Sequence, residues 1–317
     1  MYYDIIGDIH GHRIVLEKLL ASLGYWKKGG VWHHAERQAL FVGDFIDRGP
    51  QQYETVDLVR RMVDTGAAQA VMGNHEFNAM AWFIPDPDCP GEYLRKHNEK
   101  NRQQHQKFLD AVEGTRRHKE VINWFMSLPL FLDLPELRVI HACWHPAALD
   151  YLSPYLTADN QLTPETMILA CREPEEESGK DTPELSVFKA VECILKGIEV
   201  PLPDPYTFHD NDGHERSRVR TRWWDKQATD YRRAALLPPA KLNTLPAEPI
   251  PPHALIGHDG GKPVFIGHYW LNCPFGPLSE KIACVDYSVA KGGTLVAYRW
   301  DGAATLHESK FCGCPAE

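Results

Sequence analysis

The sequence predicts an α/β fold in which two β-sheets pack face to face with helices outside. Three observations carry this. Short apolar strands alternate with helix-spaced apolar residues through the first 76 positions. A glycine-containing polar cluster follows each of these early strands. The C-terminal part then returns to β patterning after a long proline-rich stretch. Strand–helix–strand alternation argues for parallel strands. Ligands of such sheets collect at the carboxyl ends of the strands.

The elements follow in order. Tyr2–Ile6 reads as a strand, and residues 14–23 have helical apolar spacing. Residues 39–42 read as a second strand, Val56, Val59 and Val63 mark a helix face, and 68–72 is a third strand. The strongly charged segment 92–113 predicts an exposed helix belonging to a cap. Residues 121–128 predict another helix, and 130–134 with 137–141 a strand pair joined at Pro135 and Glu136. Residues from about 150 to 255 break the pattern. They hold many prolines and a charged run at 172–181, but residues 187–195 and Trp223-Trp224 supply apolar anchors. They read as an insertion packing over the core of a single domain spanning 1–317. A loop of that length is too long to be a mere connection, so a lid that sets substrate size is expected. Strands are expected again at 264–267, 282–287, Thr294–Trp300 and 304–308.

Composition narrows the function. The chain has 317 residues, 43% of them hydrophobic, and a formal net charge of -9. An extended nucleic-acid surface would need a basic face, so none is expected; a small basic pocket for one phosphate remains compatible. No basic segment followed by a long apolar core opens the chain, and no run approaches the roughly 20 apolar residues of a membrane span. The expectation is a soluble cytoplasmic protein without a membrane partner. Its eight scattered cysteines read as reduced, unpaired thiols.

Three segments carry the chemistry: Gly7-Asp8-Ile9-His10-Gly11, Gly43-Asp44-Phe45-Ile46-Asp47-Arg48-Gly49, and Gly73-Asn74-His75-Glu76. Each follows an apolar strand and offers oxygen or imidazole groups on a glycine-bounded turn. Hydrolysis of a phosphate ester needs a nucleophile made from water near neutral pH and charge relief on the phosphoryl oxygens. Two metal ions about 3.5–4 Å apart provide both. A carboxylate can bridge them, while imidazole and amide ligands complete each sphere without adding charge. Asp, His and Asn suit manganese, iron or zinc better than a sulfur-seeking metal.

This triple motif resembles the D-x-H, G-D-x-x-D-R-G, G-N-H-E signature of the calcineurin-like metallophosphoesterases, in their phosphoprotein-phosphatase and diadenosine-tetraphosphatase branch. The resemblance covers residues 1–145 and about 263–300. It implies a four-layer sandwich of two mixed sheets flanked by helices, with an inserted cap, and a centre of two divalent metal ions, manganese first among them. Asp8 and His10 would hold the first metal, Asp44 would bridge, and Asn74 would bind the second. Arg48 would grip the phosphate with its planar fork. His75 would be the general acid, oriented and kept protonated by Asp47. Glu76 would support these groups from behind.

Further ligands follow from the same resemblance. His141, at the end of the strand Val139-Ile140, matches the family's V-H-[AG] segment, and His145 would turn away. Two Gly-His pairs compete for the last position. His268 follows the apolar run Pro263–Ile266 as the family's segment does, whereas His258 lies in a glycine-rich loop, so His268 is expected. The broader superfamily often has a second histidine two residues on; Trp270 stands there. Asp286 lies in a partial match to the family's closing segment. The family also supplies a further arginine in this region, for which Arg220, Arg222, Arg232 and Arg233 are all available. The expected reaction is attack of a metal-bridging hydroxide on a phosphate monoester, on a phosphoprotein or a small phosphorylated substrate. The alternative is a diadenosine-tetraphosphatase-like nucleotide pyrophosphohydrolase.

Overall fold

A computed structural model describes residues 2–174, 182–209 and 215–316. Its centre is two mixed sheets. The first runs in the order Asp286–Tyr287, Thr294–Trp300, Tyr2–Ile6, Arg37–Phe41, Ala68–Ala70, and Phe311–Pro315 also pairs with Thr294–Trp300. Tyr2–Ile6, Arg37–Phe41 and Ala68–Ala70 are parallel, as their helical crossovers require. The second sheet runs Ile282–Cys284, Val264–Ile266, Arg138–Ile140, Phe131–Asp133, with only the last pair antiparallel.

Strand alternation decides which residue enters which layer. Ile5, Leu40, Val139, Phe265 and Ala283 point between the sheets and form one apolar cluster with Val285, Val296 and Tyr298. Their neighbours Ile6, Phe41, Ile140, Ile266 and Cys284 point outward and belong to a larger cluster with the helices. α1 (Arg13–Ser22) and α2 (Gln52–Asp64) contribute Leu16, Leu19, Val56 and Val59 to it. α3 (Asn74–Phe83), α4 (Glu99–Val112) and α5 (Arg116–Met126) follow in the chain. This is the four-layer sandwich expected.

α6 (Pro146–Leu152), α7 (Pro164–Ala170) and α8 (Val187–Lys196) also join the larger cluster, through Leu149, Leu152, Met167, Val191 and Ile194. The described residues between 200 and 254 gather a separate apolar cluster around Val200, Val219, Tyr231, Leu245 and Ile250, while Trp223 and Trp224 join the larger one. Of the charged run 172–181, positions 175–181 lie outside the described residues; Arg172 is tied to Asp86 and Asp88.

Three expectations change. The segment 92–113 is not an exposed helix throughout. It becomes helical only at Glu99, where the Asn98 side chain accepts from the Asn101 N–H, and α4 buries His105, Phe108, Leu109 and Val112 on one face. Residues 304–308 form no strand, because only Leu306 among them is buried and the free edge of Thr294–Trp300 is taken by Phe311–Pro315. The run 282–287 is not one strand. Ile282–Cys284 belongs to the second sheet and Asp286–Tyr287 to the first. The chain crosses between the sheets at Val285, whose N–H donates to Ile266 O.

Candidate metal centre

The turns that follow Tyr2–Ile6, Arg37–Phe41, Ala68–Ala70, Arg138–Ile140 and Val264–Ile266 meet at one edge of the sandwich. Their backbone is unusual. His10, Asp44, Asp47, Arg48, His268, Trp270 and Ser288 all have positive φ, between 46 and 73°; among the other described non-glycine residues only Asn160 does. Such conformations cost about 1–3 kcal/mol each and persist where the surroundings over-determine them. Two glycines make the close approach possible. A Cβ on Gly267 would sit 2.1 Å from Asp8 Oδ1, and one on Gly73 would sit 2.2 Å from Asp44 Oδ1.

The side chains converge on Asp44, which is buried. Its Oδ2 lies 3.4 Å from His141 Nε2, 3.7 Å from His10 Nε2 and 3.9 Å from His75 Nε2. Asn74 Oδ1 is 2.8 Å from His268 Nδ1 and 3.1 Å from His141 Nε2. Asp8 Oδ2 accepts the His268 N–H at 2.9 Å. Two groups of ligand atoms, from His10, Asp44 and His75 and from Asp44, His141 and His268, each fit within 4.8 Å, and Asp44 is common to both. All six residues expected as ligands are thus brought together. His258 is not: its ring binds Lys262 O and the Gly260 N–H in its own turn. His145 instead caps α6.

The Nδ1 atoms of His10 and His141 are spoken for. His10 Nδ1 lies 2.9 Å from Ile46 O, and His141 Nδ1 lies 2.7 Å from Val42 O. Backbone carbonyls of this kind fix the tautomer and turn the other nitrogen toward a metal. Asp8 Oδ1, His10 Nε2 and His268 Nε2 are buried with no hydrogen-bond partner. Burial, then the adjacent Asp286 and Asp44 carboxylates, hold Asp8 well above the usual carboxylate range. Crowded buried carboxylates, unpartnered imidazoles and an amide oxygen are the donor set of a hard-to-borderline divalent cation. The residues present fit a metal pair.

Beside this centre His75 Nδ1 lies 2.5 Å from Asp47 Oδ2. Burial alone would lower the His75 imidazole, but Asp44 and Asp47 outweigh it and raise it to about 9. His105 of α4, missed in the sequence, also binds this carboxylate, with Nδ1 2.9 Å from Asp47 Oδ1. Its only sequence signal is a histidine in step with Phe108, Leu109 and Val112 on a buried face. Glu76 accepts the backbone N–H groups of Asp44, Phe45 and Gly73 at 2.8–3.0 Å, so it holds the Asp44 turn against the start of α3. Asp286 accepts from the Trp270 and Ser288 N–H groups at 2.7 and 3.0 Å. The Trp270 ring lies 5.5 Å from the exposed Arg48 guanidinium and 4.5 Å from Lys291 Nζ. Among the four later arginines, Arg220 approaches the centre. It lies 5.9 Å from the Tyr269 ring, and its charge helps burial to depress His268.

A family model for calcineurin-like phosphoesterases matches residues 1–162. The bis(5'-nucleosyl)-tetraphosphatase PrpE [asymmetrical] of Oceanobacillus iheyensis is 34% identical over 144 residues, 45% of this chain and 55% of that protein. The protein of the same name from Geobacillus thermodenitrificans is 33% identical over 144 residues, 45% of this chain and 56% of that one. The chain thus spans about half the length of the curated relatives it matches. Among solved structures, a cold-active protein-tyrosine phosphatase of Shewanella is 16% identical, with a TM-score of 0.48 over 99% of this chain and 80% of that one. A Saccharomyces cerevisiae protein serine/threonine phosphatase is 15% identical, with a TM-score of 0.47 over 100% of this chain and 80% of that one.

Proposed function

The chain belongs to the calcineurin-like phosphoesterase family, and from that premise we propose that it is a two-metal hydrolase of phosphate esters. The observation that carries this reading is the convergence of His10, His75 and His141 on Asp44 Oδ2, with Asp8 Oδ1, His10 Nε2 and His268 Nε2 left unpartnered. Asp8 and His10 would hold one metal, Asn74, His141 and His268 the other, and Asp44 both. When bound, the pair would supply a water-derived nucleophile near neutral pH and neutralise charge on the phosphoryl oxygens. Manganese is the first candidate, with iron and zinc behind it.

The side chains do the rest. Arg48, on the exposed rim, presents two parallel N–H groups to the phosphate, and Arg220 is the candidate second arginine. His75 donates its Nδ1–H to Asp47 and, held as the cation, carries a second proton at Nε2 that it delivers to the leaving oxygen. Asp47 fixes the ring's orientation and stabilises its cationic form. The insertion from about 150 to 255 limits substrate size: Trp223 Nε1 donates to Ala142 O at 3.1 Å and to Tyr269 Oη at 3.0 Å, which anchors it beside His141 and His268. No helix among the described residues is long and apolar enough to cross a membrane, which is compatible with a cytoplasmic setting.

The first substrate reading is a phosphate monoester, on a protein or a small molecule. The second is asymmetric cleavage of a dinucleoside tetraphosphate, favoured by the names of the PrpE relatives. A substrate panel with the manganese-loaded protein tests both: p-nitrophenyl phosphate, phosphoserine, phosphothreonine and phosphotyrosine peptides, and diadenosine tetraphosphate. Hydrolysis of none of them with manganese, iron or zinc would overturn the proposal.

A further inference from the structure

A cavity of about 180 Å³ opens directly beside His75. Its lining is polar throughout and includes Asp47, His75, Asn78, Arg95, Gln104 and His105. Its far wall is built by three elements. Asn78 stands one turn after Asn74 on α3 and so projects from the same face. The backbone of Arg95 is pinned to the end of α3 by its N–H to Ala81 O at 2.9 Å. Gln104 and His105 come from α4.

Arg95 is the informative residue. Its guanidinium is half-buried, and its Nη atoms donate to Asn78 Oδ1 at 2.7 Å and Gln104 Oε1 at 2.9 Å. Both partners are neutral, and among the described residues no carboxylate pairs with it. Asp47 and Glu192 act on this charge only from beyond ion-pair distance, and a half-buried guanidinium held in shape by two amides keeps several N–H donors free, which is how an anion site is prepared. His105 closes the inner side of the cavity, 4% exposed and with Nδ1 engaged by Asp47. The cavity is smaller than the 300 Å³ or so at which drug-sized pockets begin, so it suits a compact anion and not a nucleoside.

We propose that this cavity is the subsite for a second phosphate, on the leaving-group side of the reaction, so that the departing fragment of the preferred substrate begins with a phosphate. The inference rests on the reading of His75 as the proton donor. The leaving oxygen must pass His75, and the cavity is what lies beyond it. The step balances as a hydrolysis. The oxygen of water bonds to the attacked phosphorus, and the bond from that phosphorus to the bridging oxygen breaks with its electron pair on the departing phosphate. The His75 proton caps that oxygen, and one proton from the water restores His75. Arg95 offsets the charge that collects on the departing phosphate, and Arg48 faces the phosphate under attack.

The test compares wild type with Arg95→Gln and Arg95→Lys. Loss of one charge-assisted contact predicts a rise of about 10–100-fold in KM for inorganic tripolyphosphate and for diadenosine tetraphosphate. For p-nitrophenyl phosphate, kcat/KM should move less than about threefold, and the lysine variant should recover part of the loss. Calorimetric titration of the metal-free proteins with inorganic tripolyphosphate gives a readout independent of turnover: wild type binds and Arg95→Gln does not. Equal losses for p-nitrophenyl phosphate and tripolyphosphate, or equal tripolyphosphate binding by wild type and Arg95→Gln, would overturn the subsite. So would a loss confined to the dinucleotide, since Arg95 would then act on a nucleoside. A wild type that hydrolyses p-nitrophenyl phosphate but shows either of the first two patterns refutes only the subsite; one that hydrolyses nothing refutes the proposed function.

Discussion

Gly267→Ala is expected to damage the centre although the glycine carries no functional group. The alanine methyl would sit 2.1 Å from Asp8 Oδ1 and 2.8 Å from Val42 Cγ2. Contacts to a Cβ essentially never fall below 3.0 Å, so one partner must retreat by about 0.9 Å. Asp8 cannot do so freely, because it is buried and its Oδ2 holds the His268 N–H at 2.9 Å. A site tolerates displacements of about 0.5 Å, so both ends of the proposed metal pair should loosen. Overpacking of this kind costs about 1–3 kcal/mol, or a fall of roughly 2–12 °C in Tm at about 2–4 °C per kcal/mol for a large domain. Metal affinity should fall by about 10–100-fold, as it does when the supports of a ligand are disturbed. The assay is thermal melting with and without manganese, together with calorimetric manganese titration. Gly276→Ala is the control, since a Cβ there meets nothing within 4 Å. Wild-type manganese affinity and Tm in Gly267→Ala would refute the reasoning.

Three further outcomes are expected. Asp44→Asn should lower metal content and nearly abolish turnover, because two dications would lose the charge between them; unchanged stoichiometry by elemental analysis with near-normal turnover would refute the bridging assignment. His75→Asn should retain its metals but lose about 10²–10⁴-fold in turnover, less for a good leaving group such as p-nitrophenol; equal losses across good and poor leaving groups would count against a proton donor. In the metal-free protein the His75 ring should titrate near 9 by NMR. The cationic form is favoured there, so it persists through neutral pH and is lost only as pH rises past that value. Asp47→Asn should lower the midpoint, and an unshifted one would show that the 2.5 Å contact does not stabilise the cation.

Much of the centre was legible because its chemistry is written in contiguous segments. Asp8 and His10, Asp44 to Arg48, and Asn74 to Glu76 each occupy one tight turn after one apolar strand, so residue type, spacing and glycine placement travel together. Strand alternation was equally readable: Ile5 and Ile6, or Val139 and Ile140, enter opposite layers because the side-chain period is two. The run 282–287 was misread because Ile282 to Val285 are apolar without a break and nothing local marks Val285 as the crossing point between two sheets. The helix expected at 92–113 was misplaced because charge on one face hides burial on the other.

By itself the sequence indicated the fold class and the turns that carry Asp8, His10, Asp44 and Asn74, since each rests on short-range pattern; the roles proposed for these residues and the pairing of Asp47 with His75 came from the family resemblance. Only the tertiary structure decided the rest. It set His268, which the preceding apolar run already favoured, against Asp8 and left His258 in its own turn. It brought Arg220 within 5.9 Å of the Tyr269 ring, joined His105 to Asp47 across 58 positions, and gathered Arg95 and Gln104 around the cavity beside His75. These relations join residues tens to hundreds of positions apart, and their distances are set by how two sheets and their helices pack, which no local pattern records.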